Sequence, residues 1–433
     1  MISQYKSLPK NWILTKIEDI CTNPQYGYTT KASQSGNLRL LRTTDITSGR
    51  INWNKVPYCT KNPDDTGKYL LKDEDIVISR AGSVGVSYLI KDPEKAIFAS
   101  YLIRFKPLIN KRYFKFFLDS PFYWNSISEK KLGIAVPNVN ANKLKSIIIP
   151  LSPLNEQTRI VEKIEELFSD LDKATEDLKK TQEQLKIYRQ AVLKAAFEGK
   201  LLEMNSAEYF PFSEVCDINP SKQEIAELND DLEVTFMPMS AVSKSGVILE
   251  KKNKKLKDVK KGYTFFKNGD VLLAKITPCF ENGKKAIAKE LKNNIGFGST
   301  EFHVLRPKEK VISEWIYFGL SLEDFRNKAK SQMTGTVGQK RVPKSFLESY
   351  VIPVPTKLIQ EEIINEIESR LSVCDKVEKT VEQNLSKIEY LRQSILKKAF
   401  EGKLVSQDPN DLPACELLKQ IKIKKDKMSK NGK

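Results

Sequence analysis

The stretch from Asn155 to Leu201 occurs a second time, from Leu358 to Leu404. Pro150, Gln157, Ile160, Ile164, Asp172, Arg189, Gln190, Leu193, Lys194 and Ala196-Phe197-Glu198-Gly199-Lys200-Leu201 fall on Pro353, Gln360, Ile363, Ile367, Asp375, Arg392, Gln393, Leu396, Lys397 and Ala399-Phe400-Glu401-Gly402-Lys403-Leu404. The offset is constant, 353 − 150 = 203. A repeat this long marks a duplicated structural unit, since solenoid repeats run to about 20–50 residues. Each copy carries a helical seam. In the first it runs Ile160, Ile164, Leu167, Leu171, Ala174, Leu178, Thr181, Leu185, Tyr188, Val192, Ala195, and in the second Ile363, Ile367, Arg370, Cys374, Val377, Val381, Asn384, Ile388, Leu391, Ile395, Lys398. Steps of four and three alternate, which is the coiled-coil period. From Asn155 to Ala196 such a helix is about 63 Å long at about 1.5 Å per residue. Thr181 and Asn384 put a polar residue at the same layer of both rods, a device that fixes register.

What lies before each rod is also repeated. Residues 1–150 form a first globular unit and 207–353 a second, with rods at 151–206 and 354–406 and a tail at 407–433. The first unit opens with Leu8-Pro9-Lys10-Asn11-Trp12 and a helix-like Leu14 to Ile20. Strand candidates Leu38 to Leu41, Ile76 to Ile78, Val86 to Ile90 and Ala96 to Phe105 follow, then an aromatic helix from Lys111 to about Ile127 and a short strand at Ile147 to Pro150. The second unit echoes it, with Phe236 to Ser240 in place of Leu41 to Asp45 and Val271-Leu272-Leu273 in place of Ile76-Val77-Ile78. Trp315 to Lys330 echoes the aromatic helix, and Gly335 to Pro343 echoes Gly133 to Pro137 with an added basic pair. The fold class expected is α+β: two mixed α/β modules separated by two long helices that pair within the chain as an antiparallel coiled coil. The tail shows a short helix candidate, Cys415 to Ile421, and then a run of lysines expected to be mobile.

A formal charge of +17, from 72 Lys+Arg against 55 Asp+Glu, points to a polyanionic partner. Nucleic acid and an acidic membrane surface both qualify, and plain solubility is the bland alternative. No apolar run approaches the roughly 20 residues that cross a bilayer. The N-terminus, with Lys6 and Lys10 among polar residues, has no signal-peptide core, so a cytoplasmic location without membrane association is expected. The six cysteines stand at no metal-ligand spacing, and His303 is the single histidine, so no metal site is expected. Cys21 and Cys216 end similar segments and read as equivalent buried apolar residues. Two binding modules held apart by paired rods on a basic chain suit a split DNA site whose halves differ where the loops differ. The rod length puts the half-sites about one turn, 10 bp, apart on one side of the duplex.

Leu8-Pro9-Lys10-Asn11-Trp12, Asp75-Ile76-Val77-Ile78-Ser79-Arg80-Ala81-Gly82-Ser83-Val84-Gly85, Pro150-Leu151-Ser152-Pro153-Leu154-Asn155-Glu156-Gln157-Thr158-Arg159-Ile160-Val161 and Ala195-Ala196-Phe197-Glu198-Gly199-Lys200-Leu201 together resemble the specificity subunit of type I restriction-modification enzymes. The resemblance covers essentially the whole chain. It implies two target recognition domains and a bipartite target with a nonspecific spacer whose length follows the rods. It also implies a subunit without catalytic activity of its own. Two modification subunits would carry S-adenosylmethionine and methylate adenine, and two restriction subunits bound through them would use ATP and Mg and cut DNA. The second copy departs from the pattern at Pro355-Thr356-Lys357-Leu358-Ile359-Gln360.

The residues agree with a binding role. There is no glycine-rich phosphate loop ending in Gly-Lys-Ser/Thr, and Gly296-Phe297-Gly298 lacks the third glycine of a dinucleotide site. Nothing resembles the Asn-Pro-Pro-aromatic set of an adenine methyltransferase, and a Ser-His-Asp triad would rest on His303 alone, inside a strand candidate. Candidate DNA-binding residues in the first module are Tyr26, Thr29, Thr30 and Lys31 in an early loop, with Arg42, Thr43, Thr44, Arg80 and Ser83 at strand ends. In the second module they are Lys275, Thr277, Lys284, Lys285, Gln339, Lys340 and Arg341. Arginine bridges the guanine O6/N7 edge, glutamine suits adenine, and Ser, Thr and Lys suit phosphates or either base. The alternative is a basic coiled-coil scaffold that binds nucleic acid without sequence preference.

Overall fold

The structure is a computed structural model that describes residues 8–131, 138–204, 207–336 and 338–430. Lys6, Gly133 to Pro137, Val337 and the last residues of the tail lie outside the described residues. The chain divides into two compact units. One joins Met1–Leu178 to Gln383–Lys433, and the other is Lys179–Glu382, so the division falls inside both rods.

In the first unit Ile13–Lys16 is a strand, paired antiparallel with Ile148–Leu151, and only Ile17–Ile20 is helical. The helix-like spacing of Leu14 to Ile20 gives way because that segment completes a ladder with the strand that closes the module. Two four-stranded sheets follow. One is ordered Gln25–Tyr26, Leu102–Phe105, Ile76–Ser79, Ser87–Leu89, all antiparallel. The other is ordered Ala32–Ser33, Tyr58–Cys59, Arg39–Leu41, Ala96–Phe98, with its last pair parallel. Ile76–Ser79 is buried on both faces, which is why its sequence is a continuous apolar run rather than an alternation. The aromatic helix is two helices, Lys111–Asp119 and Pro121–Lys131, because Pro121 cannot continue the first and is well placed to start the second.

The second unit repeats the order of the first unit's antiparallel sheet, whereas in its other sheet the parallel pair is central rather than at the edge. Its sheets run Cys216–Ile218, Phe302–Pro307, Val271–Ala274, Lys285–Ile287, and Lys252–Lys255, Glu233–Met237, Ile295–Gly298, Thr264–Lys267. Again one pair is parallel, Glu233–Met237 with Ile295–Gly298, and a separate ladder joins Glu208–Pro211 to Val351–Val354. An ion pair recurs too. Asp75 holds Arg104 at 3.0 Å in the first unit and Asp270 holds Arg306 through two contacts of 2.8 Å in the second. Each aspartate also accepts the backbone N–H three residues before it, from Lys72 and Lys267, and so shapes the turn entering the central strand. Cys21 and Cys216 are both buried and free.

The rods are Leu154–Phe197 and Lys357–Phe400, and they pack as a coiled coil. In each unit the beginning of one rod lies against the end of the other. Ile160 and Ile164 share a core with Leu396, Ala399 and Phe400, while Ile363 and Ile367 share one with Val192, Leu193, Ala196 and Phe197. The pairing is therefore antiparallel. Between these ends the seam departs from the apolar reading at alternate steps. Ala174 and Asn384 are exposed, Tyr188 is 44% exposed, Val377 36% and Leu391 42%. The covered positions are Leu171, Thr175, Leu178, Gln182, Leu185, Arg189 and Val192, with Cys374, Glu378, Val381, Leu385, Ile388, Arg392 and Ile395 as their repeat equivalents. Arginine wins over a nearby apolar residue because its stem packs and its head finds an acid. Arg392 sits 4.9 Å over the Phe168 ring and reaches Asp172 at 2.6 Å, and Arg189 reaches Asp375 at 2.6 Å and Glu378 at 2.9 Å. With Asn384 exposed, the Thr181 and Asn384 layer does not form.

Each rod is bolted to its module by one buried glutamine. Gln157 accepts the Asn110 N–H at 3.0 Å and donates to the Ser152 carbonyl at 2.9 Å. Gln360 accepts the Ile312 N–H at 3.1 Å and donates to the Pro355 and Lys310 carbonyls at 2.7 and 2.8 Å. The rods end at Gly199 and Gly402, both left-handed, with φ of +70° and +69°. Beyond the second rod the tail forms one helix, Ala414–Lys430, longer than the expected Cys415 to Ile421. Ala414, Leu417 and Ile421 are buried against Ile17 and Ile20 of the first module, and Lys425 donates to the Glu18 carbonyl, so the lysine run continues a helix that is already docked.

Candidate nucleic-acid interface

In the first module three loop segments meet. The chain leaves Ile76–Ser79 into a tight loop in which Gly85 N–H closes on the Ser79 carbonyl at 2.8 Å, with Gly82 and Gly85 at φ of +74° and +91°. Arg80 N–H donates to the Tyr101 carbonyl at 2.9 Å, Val139 N–H donates to the Arg80 carbonyl at 3.0 Å, and Ala81 pairs with Asn138. The turn at Tyr101 and the segment at Asn138 are thus laid beside the Arg80 loop. Tyr26 joins them, its hydroxyl accepting the Ala141 N–H at 3.0 Å and its ring lying 5.1 Å from the Arg80 guanidinium. Gly27 makes this approach possible, since a Cβ there would stand 2.2 Å from the Ala99 carbonyl oxygen. Arg42 follows strand Arg39–Leu41 beside the same turn, where Ala99 N–H donates to the Leu41 carbonyl at 2.9 Å. Tyr101 is 61% exposed, and Arg80 Nε and Asn138 Oδ1 are buried without a hydrogen-bond partner.

The second module builds the same joint. Lys275 N–H donates to the Glu301 carbonyl at 2.9 Å, Val342 N–H donates to the Lys275 carbonyl at 2.9 Å, and Ile276 pairs with Arg341. Lys275, Glu301 and Arg341 therefore stand where Arg80, Tyr101 and Asn138 stand in the first. Thr277 and Lys340 are joined twice, Thr277 N–H to the Lys340 carbonyl at 3.0 Å and Lys340 N–H to Thr277 Oγ1 at 3.1 Å. Gln339 and Lys340 are exposed. The longer loop after Thr277 is pinned by Phe280, buried beside Phe325 at 6.5 Å, and by Arg326 donating to the Glu281 carbonyl at 2.7 Å.

The candidates drawn from sequence fall into groups. Tyr26, Arg42 and Arg80 belong to the joint of the first module, with Thr43 within 3.9 Å of the Cβ position of Gly82; Thr44 and Ser83 are exposed on the adjoining turns. Thr30 and Lys31 belong to another network, where the Lys31 carbonyl accepts from Thr60 and Thr30 Oγ1 accepts the Lys61 N–H at 3.3 Å, and Thr29 is exposed beside them. Lys275, Thr277, Gln339, Lys340 and Arg341 meet in the second joint, whereas the Lys284 ammonium donates to the Met239 carbonyl at 3.2 Å. Lys285 is a correction. It is 8% exposed, 4.7 Å from the Tyr317 ring in the wall of a cavity of about 470 Å3, and burial pushes its pKa down to about 8, helped by the Arg326 charge. It opens the strand Lys285–Ile287, which buries its side chain, while its neighbour Lys284 stays half-buried. Tyr101, Asn138 and Glu301 stand in the same joints, although their residue types give no sign of it. The constant offset carries Asn138 onto Arg341, but the two turns around residues 101 and 301 differ in offset, which hid that pair.

His303 has a structural role. Its Nδ1 accepts from the Asn219 amide at 3.2 Å and its Nε2 donates to the Val342 carbonyl at 2.8 Å, the neutral tautomer, and burial lowers its pKa. Among the described residues no group of histidine, cysteine and acidic side chains could hold a metal ion, and no helix is long and apolar enough to cross a membrane.

The sequence profile of the type I restriction modification DNA specificity domain matches residues 9–186 and again 204–389. The chain is similar to the type I restriction enzyme EcoAI specificity subunit of Escherichia coli, 39% identical over 269 residues, covering 52% of this chain and 45% of that one. It thus spans about half the length of that relative. The EcoKI specificity subunit of Escherichia coli K12 is 26% identical over 457 residues and covers 96% of both chains. In fold the chain is like one from a study of complex assembly and conformational transition in the type I R-M system, with a TM-score of 0.70 at 19% identity over 92% of this chain and all of that one. The HsdS subunit from Thermoanaerobacter tengcongensis gives a TM-score of 0.57 at 18% identity, covering 92% of this chain and 98% of that one.

Proposed function

The chain belongs to the family of type I restriction-modification DNA specificity proteins, and from that premise we propose that its two modules read the two halves of a bipartite DNA target separated by a nonspecific spacer. The observation that carries this reading is the repeated joint of three loops. The same backbone hydrogen bonds present Arg80, Tyr101 and Asn138 in one module and Lys275, Glu301 and Arg341 in the other. One scaffold bearing different side chains is what two different half-sites require. The net charge of +17 supplies the sequence-independent attraction to phosphates, and the loops supply the discrimination.

The rods and their ends dock two modification subunits, which bring S-adenosylmethionine and methylate adenine. Two restriction subunits bound through them bring ATP and Mg. This chain contributes recognition and no reacting group. The test is methylome sequencing of cells that express this chain with its modification partner. A split adenine-methylated motif is expected. An active partner with no such motif, or salt-dependent binding equal for all sequences, overturns the proposal in favour of a basic scaffold.

A further inference from the structure

Two arginines in the loop clusters are each gripped along one side by a carboxylate. Arg42 donates Nε and Nη2 to Asp45 at 3.0 and 2.8 Å. Arg341 donates Nε and Nη2 to Glu301 at 3.0 and 2.8 Å, and Nη1 to the Gln339 carbonyl at 3.1 Å. A guanidinium carries five N–H bonds in a fixed fork. With the Nε and Nη2 side occupied, Arg42 keeps two parallel N–H bonds at its far end, and Arg341, which gives one Nη1 hydrogen to the Gln339 carbonyl, keeps one unpaired N–H on each terminal nitrogen. That end matches the O6 and N7 acceptors of guanine.

Exposure separates these two from the structural arginines. The side chains of Arg42 and Arg341 are each 41% exposed, with Asp45 at 11% and Glu301 at 26% behind them. Arg104 and Arg306, also held by aspartates, are 5% and 19% exposed, and their terminal nitrogens are taken by Gln25 and by Glu224. The paired acid also discriminates between targets. An arginine neutralised by a neighbouring carboxylate gains little from a phosphate, whose charge the carboxylate repels, while a neutral base edge keeps the full directional benefit of a fork held in place.

We infer that Asp45 and Glu301 are positioning residues that aim the end-on edge of Arg42 and of Arg341 at one guanine in each half-site. Asp45 and Glu301 thereby become determinants of sequence preference although neither contacts DNA. The inference rests on the two-module reading above. In the second module Glu301 occupies the place of Tyr101 and Arg341 that of Asn138, so the two guanines are reached from different corners of the common joint.

The test uses the full chain in complex with its modification partner and duplexes carrying the mapped motif, in which single guanines are replaced by 7-deazaguanine to remove N7. For the wild-type complex one such replacement in each half-site is expected to weaken binding about tenfold or more. Glu301→Ala should erase most of that difference in the second half-site and leave the first unchanged, and Asp45→Ala should do the reverse. Arg341→Lys and Arg42→Lys, which keep the charge, should match their partners' effect. A merely structural role would weaken all duplexes alike. Uniform weakening, or a 7-deazaguanine effect untouched by these variants, overturns this inference while a split motif in the methylome leaves the parent reading intact. If no split motif maps with an active partner, the parent reading falls as well.

Discussion

The indole N–H of Trp12 donates to Glu156 Oε2 at 2.9 Å, across 144 residues of chain. Gln407 donates to the other carboxylate oxygen at 2.6 Å, and Arg159, one turn on, holds Asp411 at 2.7 Å. The start of the first rod is therefore the knot that ties the opening of the chain to its tail. The second rod has Ile359 and Glu362 at the corresponding positions. There the chain passes unbroken from Gly199 into the next module, and no knot is needed. The departure of the second copy from the first at this point thus has a physical cause.

Glu156→Ala leaves the buried Trp12 N–H without an acceptor and releases Gln407. We expect a loss of roughly 1–3 kcal/mol, read as a lower midpoint in denaturant. Glu156→Gln, which retains one acceptor oxygen, should lose less. Equal stability of the alanine variant and the wild type would show the knot to be unimportant.

The two rod-end glycines differ in their surroundings although their φ values agree. A Cβ on Gly402 would lie 2.4 Å from Pro9 Cγ, while one on Gly199 would meet the flexible Met204 at 3.5 Å. Both substitutions to alanine carry the left-handed penalty of about 1 kcal/mol. Gly402→Ala should cost clearly more, because a proline ring cannot swing aside. Thermal melts of the two variants compared with the wild type decide the order.

Lys285 makes stability depend on pH in a defined window. Its pKa is lowered in the folded protein to about 8 from an ordinary 10.5, so the folded state binds the proton less tightly than the unfolded one. The stabilising share is complete above the unfolded value and is lost as pH falls through about 8. Lys285→Met should therefore stabilise the protein at pH 7 by roughly 1–3 kcal/mol, and that gain should shrink as pH rises towards 10. Denaturation curves at the two pH values measure it. DNA affinity should be unchanged, in contrast to substitutions at Lys275 or Lys340.

Gln157→Ala and Gln360→Ala each leave a backbone N–H and at least one carbonyl without their partner where rod meets module. We expect each to cost roughly 1–3 kcal/mol. Protection of Asn110 and Ile312 amides against hydrogen exchange should fall selectively, the first in one variant and the second in the other. Uniform loss of protection in both would show that the contacts are not local.

Much of the fold was legible because the duplicated features are local and apolar. The offset of 203 identified both rods, Gln157 with Gln360 repeats in sequence what it does in space, and Cys21 and Cys216 are buried alike. What the pattern could not give depended on partners distant in the chain. Leu14 was drawn from helix to strand by Pro150, 136 residues away in the ladder, 150 − 14 = 136. Periodicity points to the apolar Val377 and Leu391, but the seam covers Glu378 and Arg392 instead, whose fitness depends on facing acids, bases and rings. In the candidate interface Arg42, Arg80 and Arg341 could be chosen by residue type. Asp45 and Glu301 could not, because an acid on a basic chain reads as surface until the arginine it holds is seen.

The uneven make-up of the two compact units sets an order of events during synthesis. Lys179–Glu382 is one unbroken stretch, whereas the other unit needs both Met1–Leu178 and Gln383–Lys433. Domains fold as their residues leave the ribosome. The second module can close while translation is still running, but Trp12, Tyr113 and Phe117 must wait for Phe400 and the tail helix that complete their core. The aromatic core of the first module is thus covered later than that of the second, and for that interval a truncated message or a stalled ribosome would leave an aromatic surface open to chaperones and proteases.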